Sequence, residues 1–329
     1  LHRHGRDRAV RAGQSLSRPM DKQPEQSTTV QQIAAGLGFT VHQIDFLDQG
    51  STSAVWRVQT AQKALVVRLA VPHEGKTACF EGEAGLRAQL FKLDARVAQP
   101  VASNVTHPHL ATADVEWCVD SFVAGETLAR GALPKQVCHD LGEVLAKLHA
   151  LPATGYGLLV NQRDKIVGQA DNVVEGLCTR LQDPWPFQPT ELQAHPIAQA
   201  APHLLPRLEP YRAELLALLN DDAGVPLHTD LHERQMPSVN GRLNGLLDFG
   251  DAMVGPVICD IGSFMGFHGA AQVRWLLEGY TNDLARRNEL LAQGQLWGIV
   301  TSLHHASRAI TLNLPKRMSR VIHFLEENI

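Results

Sequence analysis

The sequence predicts a bilobal α+β protein, with a small lobe built on an antiparallel sheet and a larger, mainly helical lobe after it. Three observations point there. Residues 41–47, 54–60 and 64–69 are β-rich runs with short polar breaks between them, the pattern of an antiparallel meander. Beyond Glu126 helical spacing takes over, clearest where Leu141, Val144, Leu145 and Leu148 fall at i, i+3, i+4 and i+7. Later, Asn240-Gly241-Arg242 between the apolar runs 236–239 and 243–247 marks a hairpin that separates two aspartate-bearing segments. The small lobe is expected over residues 26–120, the helical lobe over 121–329, and the hinge at 120–125.

Taken in order, residues 1–25 read as a disordered extension. Arg3, Arg6, Arg8, Arg11 and Arg18 stand there with little apolar content, and Met20 marks the expected start of the native chain. A short helix from Thr28, with Val30, Ile33, Ala34 and Leu37 on one face, is expected to be capped by Thr28 or Thr29 and closed by Gly36 and Gly38. After the meander, a helix over 80–93 places Leu86, Leu90 and Leu93 together, and a further strand runs over 116–122 until Gly125-Glu126 ends it. Residues 152–206 are proline-rich and less regular. Trp185, between two prolines, is expected either in the core or lining a substrate cap.

Composition narrows the function. A chain of 329 residues is long enough for two packed lobes sharing a cleft. With 30 Lys and Arg against 34 Asp and Glu, the net charge of −4 gives no reason to expect nucleic acid. The five cysteines are scattered, odd in number and without a C-x-x-C pair, which fits a reducing cytoplasm. No apolar run approaches the roughly 18 residues of a membrane span, since Asp260 interrupts the best candidate at 257–267. A cytoplasmic monomer or homodimer is expected, with neither membrane nor nucleic acid as partner.

The hairpin has a chemical consequence. It brings its two ends together, so Asp230 and Asp248 are expected at one end of the cleft. Phosphoryl transfer needs such a pair: one carboxylate orients the attacking hydroxyl and accepts its proton, while another holds Mg²⁺ against nucleotide phosphates.

The strings His228-Thr229-Asp230-Leu231-His232, Leu246-Leu247-Asp248-Phe249-Gly250-Asp251 and Cys259-Asp260-Ile261-Gly262 resemble the catalytic and metal-binding loops of the aminoglycoside phosphotransferase and choline kinase superfamily. Residues 121–128 are similar to its hinge, and 141–149 to its helix ending in Leu-His. The resemblance implies a protein-kinase-like fold that uses ATP or GTP with Mg²⁺ to phosphorylate a hydroxyl of an aminoglycoside-like, amino-alcohol or sugar acceptor. It implies Asp230 as catalytic base, His228 as a catalytic-loop residue buttressing it, Asp248 as metal ligand, and Asp260 as a hydrogen-bonding support. Residues 49–54 correspond to the nucleotide-covering loop, with backbone N–H groups and Gly50, Ser51, Thr52 and Ser53 toward phosphate. Arg68 takes the place of the phosphate-binding cation, and Glu83 that of its helix partner. Gln235 stands where the family carries a metal-binding asparagine.

Other readings compete. The departure at Gln235 motivates a nucleotide-binding pseudokinase or regulatory module. His228, Asp230 and His232 alternate as zinc ligands on one face of an extended segment would, although no fourth ligand is evident. Asp251, Glu278 and Asp283 are solvated surface residues by default, or acidic groups that attract a cationic acceptor.

Overall fold

The computed structural model describes residues 23–72, 77–110, 115–188, 191–219 and 224–329; the arginine-rich extension lies outside them. Among the described residues the chain opens with helix α1 (Gln23–Gly36), which starts before the expected caps and takes in Gln23, Pro24 and Glu25 from the expected extension. Thr28 and Thr29 sit inside it, each hydroxyl donating to the carbonyl four residues back, at Pro24 and Glu25. That back-bonding competes with capping and explains why neither threonine starts the helix.

Strands β1 (Val41–Gln49), β2 (Ser53–Thr60) and β3 (Ala64–Ala70) form the expected meander. Helix α2 (Phe80–Lys92) follows, then β4 (Pro100–Ser103) and β5 (Trp117–Ser121), giving a five-stranded antiparallel sheet in the order β1-β2-β3-β5-β4. Strand β4 has no expectation behind it: it is a four-residue edge strand opening on Pro100, where proline is tolerated and no alternation betrays it. In β2 and β3 every second side chain is buried, against Val30, Ile33 and Ala34 of α1.

The remaining chain is mainly helical. Helix α3 (Lys135–His149) precedes strands β6 (Tyr156–Leu159) and β7 (Gly168–Ala170), and short helices α4 (Val173–Arg180), α5 (Pro196–Ala200), α6 (Leu205–Leu208) and α7 (Arg212–Ala217). Strand β8 (Val225–Leu227), the hairpin β9 (Ser238–Val239) and β10 (Arg242–Leu243), and β11 (Met253–Gly255) carry the segments of Asp230 and Asp248 between them. Helices α8 (Ile258–His268), α9 (Ala270–Tyr280), α10 (Leu284–Thr311) and α11 (Pro315–Asn328) complete the lobe. Among the described residues no helix is long and apolar enough to cross a membrane.

The two lobes have separate hydrophobic cores, but not divided at residue 120. Leu86, Leu90, Ala95 and Val97 belong to the core of the helical lobe. Leu93 is exposed rather than grouped with them, because α2 ends at Lys92. Gly85 permits the docking: a Cβ there would lie 2.1 Å from the Arg163 carbonyl oxygen. The hairpin is shorter than its apolar runs suggest. Its turn is Asn240-Gly241, both at positive φ (52° and 71°), with Arg242 already in the strand. Leu246 leaves the ladder to donate its N–H to Arg96, while Leu247 N–H returns to the Gln235 carbonyl. Trp185 is core, 2% exposed, not cap.

Candidate active site

A cleft of about 770 Å³ between the lobes is lined by Gly50, Ser53, Arg68 and Glu83 from the small lobe and by Asp230, His232, Gln235 and Asp248 from the large one. The two aspartates thus share the cleft, as the hairpin predicts. They are linked through side chains: His232 Nε2 lies 3.4 Å from Asp230 Oδ2, the Gln235 amide lies 3.2 Å from the same ring nitrogen, and Gln235 Nε2 donates to Asp248 Oδ2 at 3.1 Å. His232 Nδ1 accepts the Arg234 N–H, so its proton sits on Nε2, facing Asp230.

Below this network the loop is fixed by buried groups. Asp260, fully buried on α8, accepts from the backbone N–H of His228 (3.1 and 3.0 Å) and of Thr229 (2.6 Å), and from His149 Nε2 (3.0 Å). This is the expected support. His228, also fully buried, donates Nε2–H to the Leu247 carbonyl (2.7 Å) and accepts the Asp230 N–H at Nδ1. It therefore joins the two aspartate loops from beneath and does not line the cleft, so its place is positioning and not contact with substrate. Thr229 adopts φ 65°, which a β-branched residue does at a cost of about 1–3 kcal/mol. Its N–H, carbonyl and hydroxyl are all engaged, by Asp260, Ser263, Asp251 and Arg180, which is enough to hold it there. Asp248 is likewise left-handed, at φ 58°.

Although burial works the other way, the hydrogen bond from His232 and the charge of Arg180 hold the Asp230 carboxyl well below the usual carboxylate range. In the small lobe, Arg68 Nη1 donates to Glu83 at 2.6 Å, and Asp120 lies 3.5 Å from Arg68 and 2.7 Å from Arg87. Burial opposes the Arg68 cation, yet Cys118, Glu83 and Asp120 raise its pKa well above the ordinary value. The expected Arg68–Glu83 pair is therefore present, embedded in a four-residue cluster. Asn161 from the large lobe accepts the Glu81 N–H at the start of α2 and so fixes the helix that carries Glu83.

The nucleotide-covering loop departs from expectation. Gly50 and Ser53 line the cleft, whereas Ser51 and Thr52 are not among its lining residues. The Gly50 N–H is spent on the Ser53 carbonyl at 2.9 Å, so it does not face the cleft as a free donor. At the hinge, Glu126 and Ser238 exchange backbone hydrogen bonds; Gly125 allows this, since a Cβ there would lie 2.8 Å from Pro237 Cβ.

The zinc arrangement does not form, because both ring nitrogens of His228 are committed to the backbone. The one three-residue group among the described residues with ligand atoms within 4.8 Å of one another is His139, Asp140 and Glu143, outside the cleft. Asp140 there is already clasped by Arg242 at 2.7 and 2.8 Å. Nor are the three acidic residues free to attract a cation: Asp251 pairs with Arg180 (3.0 Å), Glu278 with Lys135 (2.7 Å), and Asp283 caps α10. The sequence left His149, Arg180 and Asp120 without a role. Only the Leu-His helix end hinted at His149, and nothing in spacing tied it to Asp260.

The model of the phosphotransferase enzyme family matches residues 43–295. Among solved structures, the chain is similar to an aminoglycoside phosphotransferase in a ternary complex with AMP-PNP and hygromycin B (TM-score 0.63, 15% identity, covering 91% of this chain and 98% of that one). It is also similar to a spectinomycin phosphotransferase in complex with ADP and spectinomycin (0.53, 14%, 90% and 93%). A macrolide 2'-phosphotransferase from Brachybacterium faecium follows (0.50, 17%, 92% and 98%). At these identities the likeness is one of fold. No curated protein matches the sequence.

Proposed function

The chain belongs to the phosphotransferase enzyme family, and from that premise we propose that it transfers the γ-phosphoryl group of ATP to a hydroxyl of a small molecule. The observation that carries this is the linked set Asp230, His232, Gln235 and Asp248 in a cleft that also holds Arg68. The preference for an adenine nucleotide over GTP rests on structures of the same fold that hold AMP-PNP or ADP.

Asp230 orients the acceptor hydroxyl. The oxygen–phosphorus bond to the acceptor forms as the β–γ bridging bond breaks, the hydroxyl proton passes to Asp230, and ADP leaves. A carboxylate held so acidic is a weak base. That suits a loose transition state, in which aligning the hydroxyl matters more than removing its proton early. His232 keeps Asp230 ionised and pointed, while Arg68 meets phosphate charge from the small lobe.

The donor set fits Mg²⁺: the Asp248 carboxylate and the Gln235 amide oxygen are hard oxygen ligands, and the glutamine's arm already reaches Asp248, though with its Nε2, so the amide would turn over to present its oxygen to the ion. Those two residues would hold the ion, which supplies charge neutralisation for the phosphates. Calorimetry of ATP with and without Mg²⁺, beside an assay of ADP release, tests the proposal. Asp248→Ala should abolish the Mg²⁺-dependent affinity, Gln235→Ala should raise the Mg²⁺ requirement, and Gln235→Asn should change turnover only modestly. Nucleotide bound without any ADP release, even to water, would make the protein a regulatory module instead.

A further inference from the structure

Helix α11 turns Arg317, Arg320, Val321 and Phe324 onto a second, small cavity in the helical lobe, at the i, i+3, i+4, i+7 spacing of one helix face. Arg130, Phe267 and His305 face them from other elements. The cavity measures about 50 Å³. One water needs roughly 10–15 Å³ of such space, so the volume suits a single carboxylate or phosphate group.

Its charge is out of balance. Among the described residues the Arg317 and Arg320 side chains have neither a hydrogen bond nor an ion pair, and His305 Nδ1 is buried without a partner. Arg130 is the one arginine of the three with a carboxylate, Glu233 at 3.2 Å, and it also lies over the Phe267 ring. Burial lowers the pKa of Arg317, and Arg308 and Arg320 lower it further. Burial, with Arg317 and Arg180, pushes His305 down to about 3. Arg320 is exposed and Arg317 half-buried, and the carboxylates that act on them, Glu233 and Asp230, form no ion pair with either, so the space between the cations is open to an anion.

The cavity adjoins the reacting centre. The Phe267 ring lies 5.8 Å from that of His232, which contacts Asp230, and 5.4 Å from that of His305. Asp230 is itself among the charges acting on His305 and Arg317.

We propose that this cavity is an anion subsite for the acceptor: the hydroxyl compound aligned at Asp230 carries a carboxylate or phosphate group, held by Arg317 and Arg320 with Arg130. The assignment rests on the phosphotransfer reading above. It makes the acceptor a hydroxy acid, a sugar acid or a phosphorylated alcohol, opposite in charge to an aminoglycoside.

Two experiments on the full chain test it. In the first, inorganic phosphate is titrated calorimetrically into protein saturated with ADP and Mg²⁺. Binding should weaken about ten- to a hundredfold in Arg317→Met and in Arg320→Met, the usual scale for a lost charge-assisted hydrogen bond, with partial recovery in Arg317→Lys. Binding that survives both methionine variants but fails in Arg68→Met places the anion at the nucleotide and overturns the subsite. In the second, ADP release is screened with matched acceptors: gluconate and glycerol 3-phosphate against glucitol, glycerol and an aminoglycoside. Anionic acceptors should be preferred by at least about tenfold in kcat/KM, with Arg317→Met raising the acceptor KM. Release that favours neutral or cationic acceptors overturns the acceptor role while leaving phosphotransfer standing. Absence of Mg²⁺-dependent nucleotide binding and of all ADP release sinks the phosphotransfer reading itself.

Discussion

Two arginine clusters approach the loop that carries Asp230, and they differ in how their charge is answered. In the small lobe Arg68 and Arg87 face Glu83 and Asp120, two cations against two carboxylates, with Arg87, Glu83 and Asp120 buried and Arg68 half-buried at the cleft. In the helical lobe Arg317 and Arg320 face a cavity with no carboxylate of their own. The first cluster balances its charges internally, while Arg68 Nε and Nη2, Arg87 Nη2 and Asp120 Oδ1 stay buried without a hydrogen-bond partner, so it supports architecture and still leaves donors at the cleft. The second is stable only because its arginines keep some contact with solvent, and it is the region whose charge an acceptor can satisfy.

The change expected to act most strongly disturbs both regions, because Asp230 lines the cleft with Arg68 and also acts on His305 and Arg317. Asp230→Asn should lower turnover by about 10² to 10⁴ while thermal unfolding changes little. Full turnover in a folded variant removes Asp230 from the mechanism.

Stability separates the clusters directly. Glu83→Leu strips the buried carboxylate that pairs with Arg68 and should cost about 3–5 kcal/mol in denaturant unfolding, whereas Arg317→Met, which breaks no pair, should stay within about 0.5 kcal/mol. Equal costs would erase the distinction between a balanced and an unbalanced cluster.

Acid sharpens the comparison from the other side. Burial pushes His195 and His268 of the helical lobe down to about 4, so each stays neutral in the fold while the unfolded chain takes up protons near pH 6.5. Between those values the unfolded state binds more protons, so stability rises with pH and is lost as pH falls from about 6.5 to about 4. At about 1.4 kcal/mol per pKa unit, each histidine accounts for up to about 3 kcal/mol of that loss. His195 Nδ1 accepts the Ile197 N–H, a bond that protonation breaks. Unfolding midpoints at pH 7 and 4.5 should therefore converge in His195→Gln; an unchanged gap would show that burial does not keep this ring neutral.

The sequence by itself determined the lobes, the meander, the Leu-His helix and the meeting of Asp230 with Asp248, because period-2 and period-3.6 patterns and an Asn-Gly turn are local and strong. It located Arg68 and Glu83 only through the family resemblance. It did not place the start of α1, where Thr28 and Thr29 bond backward into the helix, nor β4, whose pairing with β5 is a long-range choice. The direction in which side chains point was also beyond it. His228 sits in the catalytic string yet turns under the loop, and Ser51 and Thr52 sit in the phosphate loop yet are not among the cleft's lining residues. Least legible was charge balance. Asp251, Glu278 and Asp283 read as solvated surface acids until folding gave each a partner, while nothing in the sequence singled out Arg317 and Arg320. Only the packing of α11 against α10 gathers those arginines around one cavity, since whether a charge is answered depends on neighbours distant in the chain.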